Sequence, residues 1–448
     1  MEQTKLSKRT WFNIVLFGLA GQLAWNVENL YFNTFLFNKV GGTAEDINVM
    51  VAASAITAML TTFVMGALSD RVGKRKVFIS VGYIVWGVTV MAFAFISREH
   101  TAALLKLSDQ ARVAAITISL VIIMDCVMTF MGSTCNDAAF NAWITDVTDT
   151  SNRGFVEGVT ALLPVFATVA IVVGFGAGVT ALGYSPCFIA LGVAVIICGV
   201  IGLFTLKDPE GLQKQKRNYF ASLIYGFRPS VIRNNAMLYI ILAALGFSST
   251  AIQVVMPYLF IYIQHFLGFD FAHLNLTPPM IIAAVAIIAV VVAGAVLFGK
   301  LIDKKGKDKF MIPGAILYSL GLFCAFFMKT IIGFLGAAAV FFVGWAFLGI
   351  MINALVRDYT PKEEVGLFQG VRMIFSVMLP MVIGPRIGTF VINKFAATHE
   401  LGTYINDYGE TVNAPVPEIF AAASVVAILI LIPLIIFKIK NKSISKAS

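Results

Sequence analysis

Three acidic residues stand within otherwise apolar stretches of this chain: Glu28, Asp125 and Asp137. A carboxyl group in a low-dielectric environment can bind and release a proton near neutral pH, or it can ligate a sodium ion. Ionisable groups inside apolar spans are costly, and they indicate functional sites by default. We therefore predict that these acids are cation-coupling residues, with Asp125 foremost. A structural role against a neighbouring helix is the alternative for Glu28.

Polar side chains accompany these acids at helical spacing. On the Asp125 segment, Thr129, Ser133, Asn136 and Asp137 share one helical face with Asp125, and the first apolar segment carries a second stripe of Gln22, Asn26, Asn29 and Asn33. A stripe of this kind lines a wet cavity or pairs with another helix. The second half of the chain adds Gln253 and Asn353, and Trp25, Tyr258 and Trp345 offer aromatic platforms. Converging amides and aromatic rings suit a hydroxylated solute, so these residues are our predicted solute contacts. Each amide alone could instead join two helices.

The elements that must position these residues are membrane spans. The 448 residues are 59% hydrophobic and only 13% charged, with a mean hydropathy of +0.87. A water-soluble surface would need roughly 25% charged residues, and one span needs ~20 mainly apolar residues. Twelve apolar runs are long enough, and we number them as spans one to twelve: 12–37, 47–69, 77–97, 113–144, 158–182, 184–206, 236–265, 277–302, 309–329, 331–356, 366–393 and 416–438.

The placement of charge predicts the topology. Of the 33 Lys and Arg residues, the large majority fall in alternate loops, which indicates cytoplasmic loops and two cytoplasmic termini in a plasma or inner membrane. The net charge of +9 is therefore not a nucleic-acid signal. The first apolar run is too long for a cleaved signal peptide. A basic, partly amphipathic stretch at 207–235 separates an N-terminal six-helix bundle at 1–206 from a C-terminal one at 236–448.

Two loop motifs occur once in each half. The first contains Gly66, Asp70, Arg71, Gly73 and Arg75, and a related copy contains Gly299, Asp303, Lys304 and Gly306. The second runs from Asn141 through Asp146 to Gly158, and its copy runs from Asn353 through Asp358 to Gly370. Both motifs fall after equivalent spans of the two halves, which predicts an internal repeat.

The first motif resembles the hallmark loop of the major facilitator superfamily (MFS). That resemblance implies an all-α membrane fold of twelve helices in two pseudo-symmetric six-helix bundles, whose spans one, four, seven and ten line a central pathway. It also implies a gating latch that includes the five residues of the first motif, with Asp303 and Gly306 as counterparts and Arg153 or Arg357 as a partner. The end of span four, Asn141-Ala-Trp-Ile-Thr-Asp146, is similar to the glycoside–pentoside–hexuronide and sucrose-type sugar:cation symporters.

These patterns favour a secondary transporter that imports a small polar solute, such as a sugar or glycoside, with a proton or sodium ion. The alternative is an efflux antiporter for amphipathic compounds. Superfamily exporters tend to carry Gly-Pro-x-x-Gly in span five, whereas this chain has such an element, Gly384-Pro385 to Gly388, only in span eleven. We predict no enzyme activity, cofactor or metal site, because no His cluster, H-E-x-x-H or phosphate loop occurs. The expected partners are the solute, the coupling ion and the bilayer.

Overall fold

The computed structural model describes residues 6–149, 152–208, 226–269, 310–361 and 365–447. Within these ranges the regular elements are helices, apart from one short hairpin. Nine described helices are long and apolar enough to cross a membrane, and Met311–Phe327 is a shorter apolar helix at the predicted span nine. The predicted span eight, 277–302, lies outside the described residues.

Span one runs through three consecutive segments, Lys8–Val27, the π-helical turn Glu28–Phe32 and Asn33–Asn38. The Ser7 side chain caps its first turn by accepting from the Thr10 backbone N–H. Span one is not one of these nine helices. Its amides and Glu28 account for this, since they lower the hydropathy of the segment that they occupy.

Spans two to six complete the N-terminal half. Span two begins with a capping box in which Thr43 and Asp46 satisfy each other's backbone N–H groups, and it ends at Gly73 in the left-handed conformation, with φ of 67°. Only Gly73 and Lys74 separate the helices of spans two and three. The segments are Ala44–Val72, Arg75–Ala92 with the 3₁₀ turn Phe93–Phe95, a connecting helix Arg98–Leu105, Gln110–Gly132 with the π-helical Ser133–Phe140 and Asn141–Val147, Arg153–Ala170 with the π-helical Ile171–Phe175 and Gly176–Leu182, and Tyr184–Thr205.

The C-terminal half contains a short helix followed by spans seven and nine to twelve. Span seven is interrupted at Pro257, where a 3₁₀ turn replaces regular helix because proline lacks the N–H that an α-helix requires. The segments are Pro229–Asn234, Ala236–Val255 with Met256–Tyr258, Leu259–Ile261 and the π-helical Tyr262–Phe266, Met311–Phe327, Ile331–Tyr359, Val365–Met373 with the π-helical Ile374–Met378 and Leu379–Phe395, the hairpin strands Thr403–Ile405 and Thr411–Asn413, Glu418–Ile428 and Leu431–Ala447.

The chain divides into two compact units, Met1–Tyr219 (unit 1) and Phe220–Ser448 (unit 2), and this boundary falls inside the predicted linker. Small residues let helices approach closely within each unit. In unit 1, a Cβ on Gly87 of span three would lie 2.5 Å from the Gly192 carbonyl oxygen of span six. In unit 2, a Cβ on Gly344 of span ten would lie 2.5 Å from the Tyr318 nitrogen of span nine.

Candidate functional site

A cluster of polar side chains lies in the interior of unit 1, where spans one, two and four meet. The Ser54 hydroxyl of span two donates to Glu28 Oε1 at 2.7 Å, and the Thr129 hydroxyl of span four donates to the same oxygen at 3.0 Å. The two hydroxyl oxygens are 2.9 Å apart. Glu28 therefore faces the neighbouring spans two and four, away from the amide stripe of its own helix.

Asp125 belongs to the same cluster. Its side chain is 2% exposed and approaches the Ser54 hydroxyl, and it acts electrostatically on Glu28. Asp125 Oδ1 and Glu28 Oε2 are buried without a hydrogen-bond partner among the described residues. Neither carboxyl forms an ion pair within that part of the chain. A desolvated carboxylate without a counter-charge is costly, so this arrangement suits a bound proton or a small cation.

A second cluster surrounds the Trp25 indole. Trp25 Nε1 donates to Asn136 Oδ1 at 3.3 Å, and Asn136 Nδ2 donates to the Tyr83 hydroxyl at 2.6 Å, which joins spans one, three and four. The Ser133 hydroxyl, which is also buried, donates to Asp137 Oδ2 at 3.0 Å. Of the five polar residues on the predicted face of span four, only Asp137 is half-buried, and the other four are buried. That face mainly pairs with neighbouring helices, which was one of the two expected alternatives.

The amide stripe of span one is more open at its centre. Asn29 is exposed, Gln22 and Asn26 are half-buried, and Asn33 is buried. Three of these amides donate to a carbonyl one turn earlier, as Asn29 Nδ2 does to the Trp25 oxygen at 2.7 Å. Asn26 Oδ1 also accepts from Thr168 of span five at 2.7 Å. These residues present polar atoms at the surface of unit 1, where a solute could contact them.

Tyr258 in unit 2 does not fit the prediction of an aromatic platform. Its side chain is fully buried, and its hydroxyl donates to the Pro385 oxygen at 2.9 Å and contacts Thr389 Oγ1 at 2.7 Å. The hydroxyl is therefore used to join span seven to span eleven. Gln253 is half-buried and also lies where span seven packs against span eleven. The two helices are close there, since a Cβ added to Gly384 of span eleven would be 2.6 Å from the Gln253 Cβ.

Trp345 and Asn353 of span ten remain accessible. Trp345 is 38% exposed. Asn353 is exposed, its Nδ2 donates to the Gly349 oxygen at 2.8 Å, and its Oδ1 accepts from Arg372 Nη2 at 2.8 Å. Arg372 was not among the predicted site residues, although an arginine inside an apolar run is a signal that could have identified it.

The first loop motif forms a closed ionic network at the end of spans two, three and four. Arg75 is 5% exposed and pairs with both Asp70 and Asp146, the latter at 3.1 Å from Nε. Its Nη1 also donates to Ser69 Oγ at 2.5 Å. Asp70 thus pairs with Arg75 of its own motif. The pairing with Arg153 or Arg357 that the resemblance implies stays a prediction, because the side chain of Arg153 lies outside the described residues. Asp146, from the second motif, closes the network because the two motifs meet in space.

The remaining latch residues are placed only in part. Arg71 is exposed, Gly66 is half-buried and Arg357 is exposed. The side chain of Arg153 lies outside the described part of the chain, as do Asp303 and Gly306. The sequence itself distinguishes the two copies, because Asp308 stands where the first copy has Arg75.

Two further residues, Ser54 and Asp208, were not predicted from the sequence. Ser54 is one of several small polar residues in span two, and nothing in its spacing distinguishes it from a helix-packing serine. Asp208 accepts from the Lys76 backbone N–H at 2.7 Å, and Trp143 Nε1 donates to the Lys207 oxygen at 2.9 Å. These two bonds attach the start of the predicted linker to unit 1, and only the folded chain reveals them.

Comparisons with known proteins agree with this architecture. A family model described as Major Facilitator Superfamily matches residues 11–385 and 292–445. Multidrug resistance protein 2 of Bacillus subtilis (strain 168) is 25% identical over 365 residues, which are 77% of this chain and 80% of that protein.

Two solved structures have the same fold. One is a bacterial homolog of the human lysosomal transporter Spinster in an inward-facing and occupied conformation, with a TM-score of 0.67, 12% identity and 98% of each chain covered. The other is a mutant of the nucleoside transporter NupG, with a TM-score of 0.66, 11% identity, and coverage of 95% of this chain and 99% of that one. Such low identities show the fold alone. The family match over most of the chain shows that this protein belongs to the Major Facilitator Superfamily and is a multi-pass α-helical membrane transporter.

Proposed function

We propose that this transporter imports a small polar solute together with a cation by alternating access. The observation that supports the proposal is the buried pair Glu28 and Asp125, each with one oxygen that has no hydrogen-bond partner among the described residues. If these positions were purely structural, an amide side chain would make the same hydrogen bonds without a charge that must be neutralised. Two carboxyl groups retained at that cost favour a site that is loaded and emptied in each transport cycle.

The accessible polar side chains of unit 1 are our proposed solute contacts. Asn26, Asn29 and Asp137 offer donors and acceptors, and Trp25 offers an aromatic face within the same region of spans one and four. Amide, carboxylate and aromatic groups together suit the hydroxyl groups and the apolar face of a sugar or glycoside. In unit 2, Trp345 and Asn353 supply the same kinds of group.

The coupling of cation to solute would run along span one. Glu28 and Asn29 are adjacent at the start of the π-helical turn, and Asn29 is bonded to the Trp25 carbonyl. Neutralisation of Glu28 would therefore change the electrostatic environment of the helical segment that presents the amides. A differential interaction of this kind is what allows one ligand to bias the binding of another.

The Arg75 network is our proposed latch. Arg75, Asp70 and Asp146 hold the adjoining ends of spans two, three and four together at the membrane face that we propose is cytoplasmic. We place both termini on that side of a plasma or inner membrane, since the loops on that side carry most of the Lys and Arg.

Uptake into proteoliposomes tests the function. A labelled panel of sugars and glycosides is offered under an imposed proton or sodium gradient, with wild-type protein and with the Asp125→Asn variant. We expect the variant to lose gradient-driven accumulation while retaining solute counterflow, because the pathway persists without its cation site. Asp109→Asn is the matched control, since Asp109 caps the first turn of the same span and asparagine caps equally well. Unchanged accumulation by Asp125→Asn would reject the coupling role.

The same proteoliposome assay distinguishes symport from the alternative function, efflux of amphipathic compounds. The relative named Multidrug resistance protein 2 is the reason to include amphipathic cations and dyes in the panel. Movement of those compounds in exchange for protons, with no movement of any sugar, would replace symport by antiport as the function of this chain.

A further inference from the structure

A polar cavity of about 460 Å³ lies at one end of unit 2, whereas the two buried clusters described above lie in unit 1. The end of the short helix Pro229–Asn234 and the first turn of span seven line it. Tyr359, the last residue of span ten, and Lys440 of span twelve complete the lining. The cavity therefore lies where the end of the predicted linker meets three spans, and its volume is within the range of small-ligand sites.

The lining of this cavity is positively charged. It includes Arg233 and Lys440, both of which are exposed, and none of its described lining residues is acidic. Within the described part of the chain, neither of these two side chains takes part in an ion pair or a hydrogen bond. Two cations that border one concave space focus their field into it, because no carboxylate neutralises them there. One bound anion would neutralise both cations.

Backbone N–H groups at the start of span seven add to this field. Asn235 stands at the N-cap position, where an Asn side chain usually accepts a hydrogen bond from the first turn. Here the Asn235 Nδ2 donates instead to the Val231 oxygen at 3.1 Å, and the side chain does not cap the helix. The N–H groups of the first turn, 236–238, can therefore serve another acceptor at the cavity. The helix end contributes a partial positive charge, whereas the two full charges come from other elements.

The depth of the cavity identifies the anion that can reach it. Span seven is apolar from Ala236 onward, and Arg233 precedes that residue by three positions. The apolar run of span twelve ends at Phe437, three positions before Lys440. Three residues of helix span roughly 5 Å, and the headgroup layer on each side of a bilayer is about 5–7 Å thick. Both cations therefore lie at the level of the lipid phosphates.

We propose that this cavity binds the phosphate group of an anionic phospholipid through Arg233, Lys440 and the first turn of span seven. The planar guanidinium of Arg233 suits two phosphate oxygens, and the ammonium of Lys440 supplies a point charge from span twelve. Basic pockets between the ends of spans suit anionic headgroups of the cytoplasmic leaflet, and this is the side on which we place this end of unit 2. The bound lipid would tie Pro229–Asn234 to span twelve. The inference goes beyond the proposed function, since it requires neither a solute nor a coupling cation.

Lipid titration of the purified, delipidated protein tests the site. Native mass spectrometry in detergent measures the binding of dioctanoyl phosphatidylglycerol, with zwitterionic dioctanoyl phosphatidylcholine as the reference. We expect Lys440→Gln to weaken phosphatidylglycerol binding ~5-fold, and Arg233→Gln combined with Lys440→Gln to weaken it ~25-fold, from the contribution of one basic residue near an anionic surface. Lys438→Gln is the matched control, since Lys438 is an exposed lysine of the same helix that does not line the cavity. Equal losses in the Lys438 and Lys440 variants would overturn the proposal.

A further variant separates lipid binding from the stability of the helix. Asn235→Asp places a carboxylate at the cavity and keeps a good N-cap residue, so it should weaken phosphatidylglycerol binding without lowering the melting temperature. Unchanged lipid binding in this variant would contradict the proposed site. Inorganic phosphate, added as a competitor, distinguishes a lipid from a soluble anion. If phosphate binds in a manner that depends on Arg233 and Lys440 while phosphatidylglycerol does not bind, the lipid assignment is wrong.

Discussion

Removal of Arg75 should open one end of unit 1 without unfolding the rest. The Arg75 side chain is 5% exposed, and its carboxylate partners Asp70 and Asp146 are 12% and 24% exposed. In Arg75→Met, both carboxylates and the Ser69 hydroxyl would lose the guanidinium that binds them, while the methylene stem that fills the site is retained.

The magnitude follows from the burial of the network. Loss of one partner of a buried ion pair costs about 3–5 kcal/mol, and the part-exposure of the two acids places this site at the lower end. A cost of about 3 kcal/mol corresponds to a ~100-fold increase in the population of the locally opened state. Arg75→Lys should recover only part of this stability, because a single ammonium cannot bind two carboxylates and a hydroxyl as a planar fork does.

Amide hydrogen exchange measured on the two ends that meet at Arg75 is the appropriate assay. The backbone amides at 69–76 and 141–147 should exchange ~100-fold faster in Arg75→Met, as the estimate from buried ion pairs implies. Arg71→Met is the control, since it removes the same charge from an exposed side chain of the same loop. Equal exchange in the two variants would show that net charge, and not the buried network, stabilises this end.

Two further predictions concern the helix contacts that hold the site. Gly21→Ala should destabilise unit 1 by ~1–3 kcal/mol, because its Cβ would lie 2.2 Å from Asn136 Nδ2. Gly174→Ala, with nothing within 4 Å, should be neutral, and equal melting temperatures for the two would refute the close packing of spans one and four. Tyr258→Phe should cost about 1 kcal/mol for its lost hydrogen bonds and leave the KM for solute unchanged. A raised KM with an unchanged melting temperature would return Tyr258 to the solute site.

The spans themselves were predictable because hydropathy is a local property of the sequence. Apolar runs located all eleven spans that the described residues cover, although the ends differ by a few residues, as for span two, predicted at 47–69 and observed at Ala44–Val72. Thr43 and Asp46 begin span two, and Gly73 ends it because glycine adopts a left-handed conformation without strain. Such signals need no knowledge of what packs against them.

The partners of polar residues were less predictable, because contacts between spans depend on the rotation of each helix. Arg75 and Asp146 were both visible as motif residues, yet their pairing depends on how spans two, three and four meet. The side of span one to which Glu28 belongs followed from helical spacing. The serine that it would meet on span two did not, since several small polar residues of that span have the same local pattern.

Departures from regular helix explain why simple spacing fails near the site. In unit 1, Glu28 begins one described π-helical turn and Ser133 begins another. A π-helical turn bonds each carbonyl one residue further along the chain, so side chains beyond it no longer follow the periodicity of the preceding α-helix. Asp125 and Thr129 precede the turn in span four and lie in the cluster around Glu28, whereas Asn136 lies within the turn and accepts a hydrogen bond from Trp25. The same turns leave backbone groups less regularly bonded at the places where a cation and a solute would bind. A helix that is already irregular there can change its local winding at lower cost than a regular one, and this is where we expect binding at one cluster to be transmitted to the other.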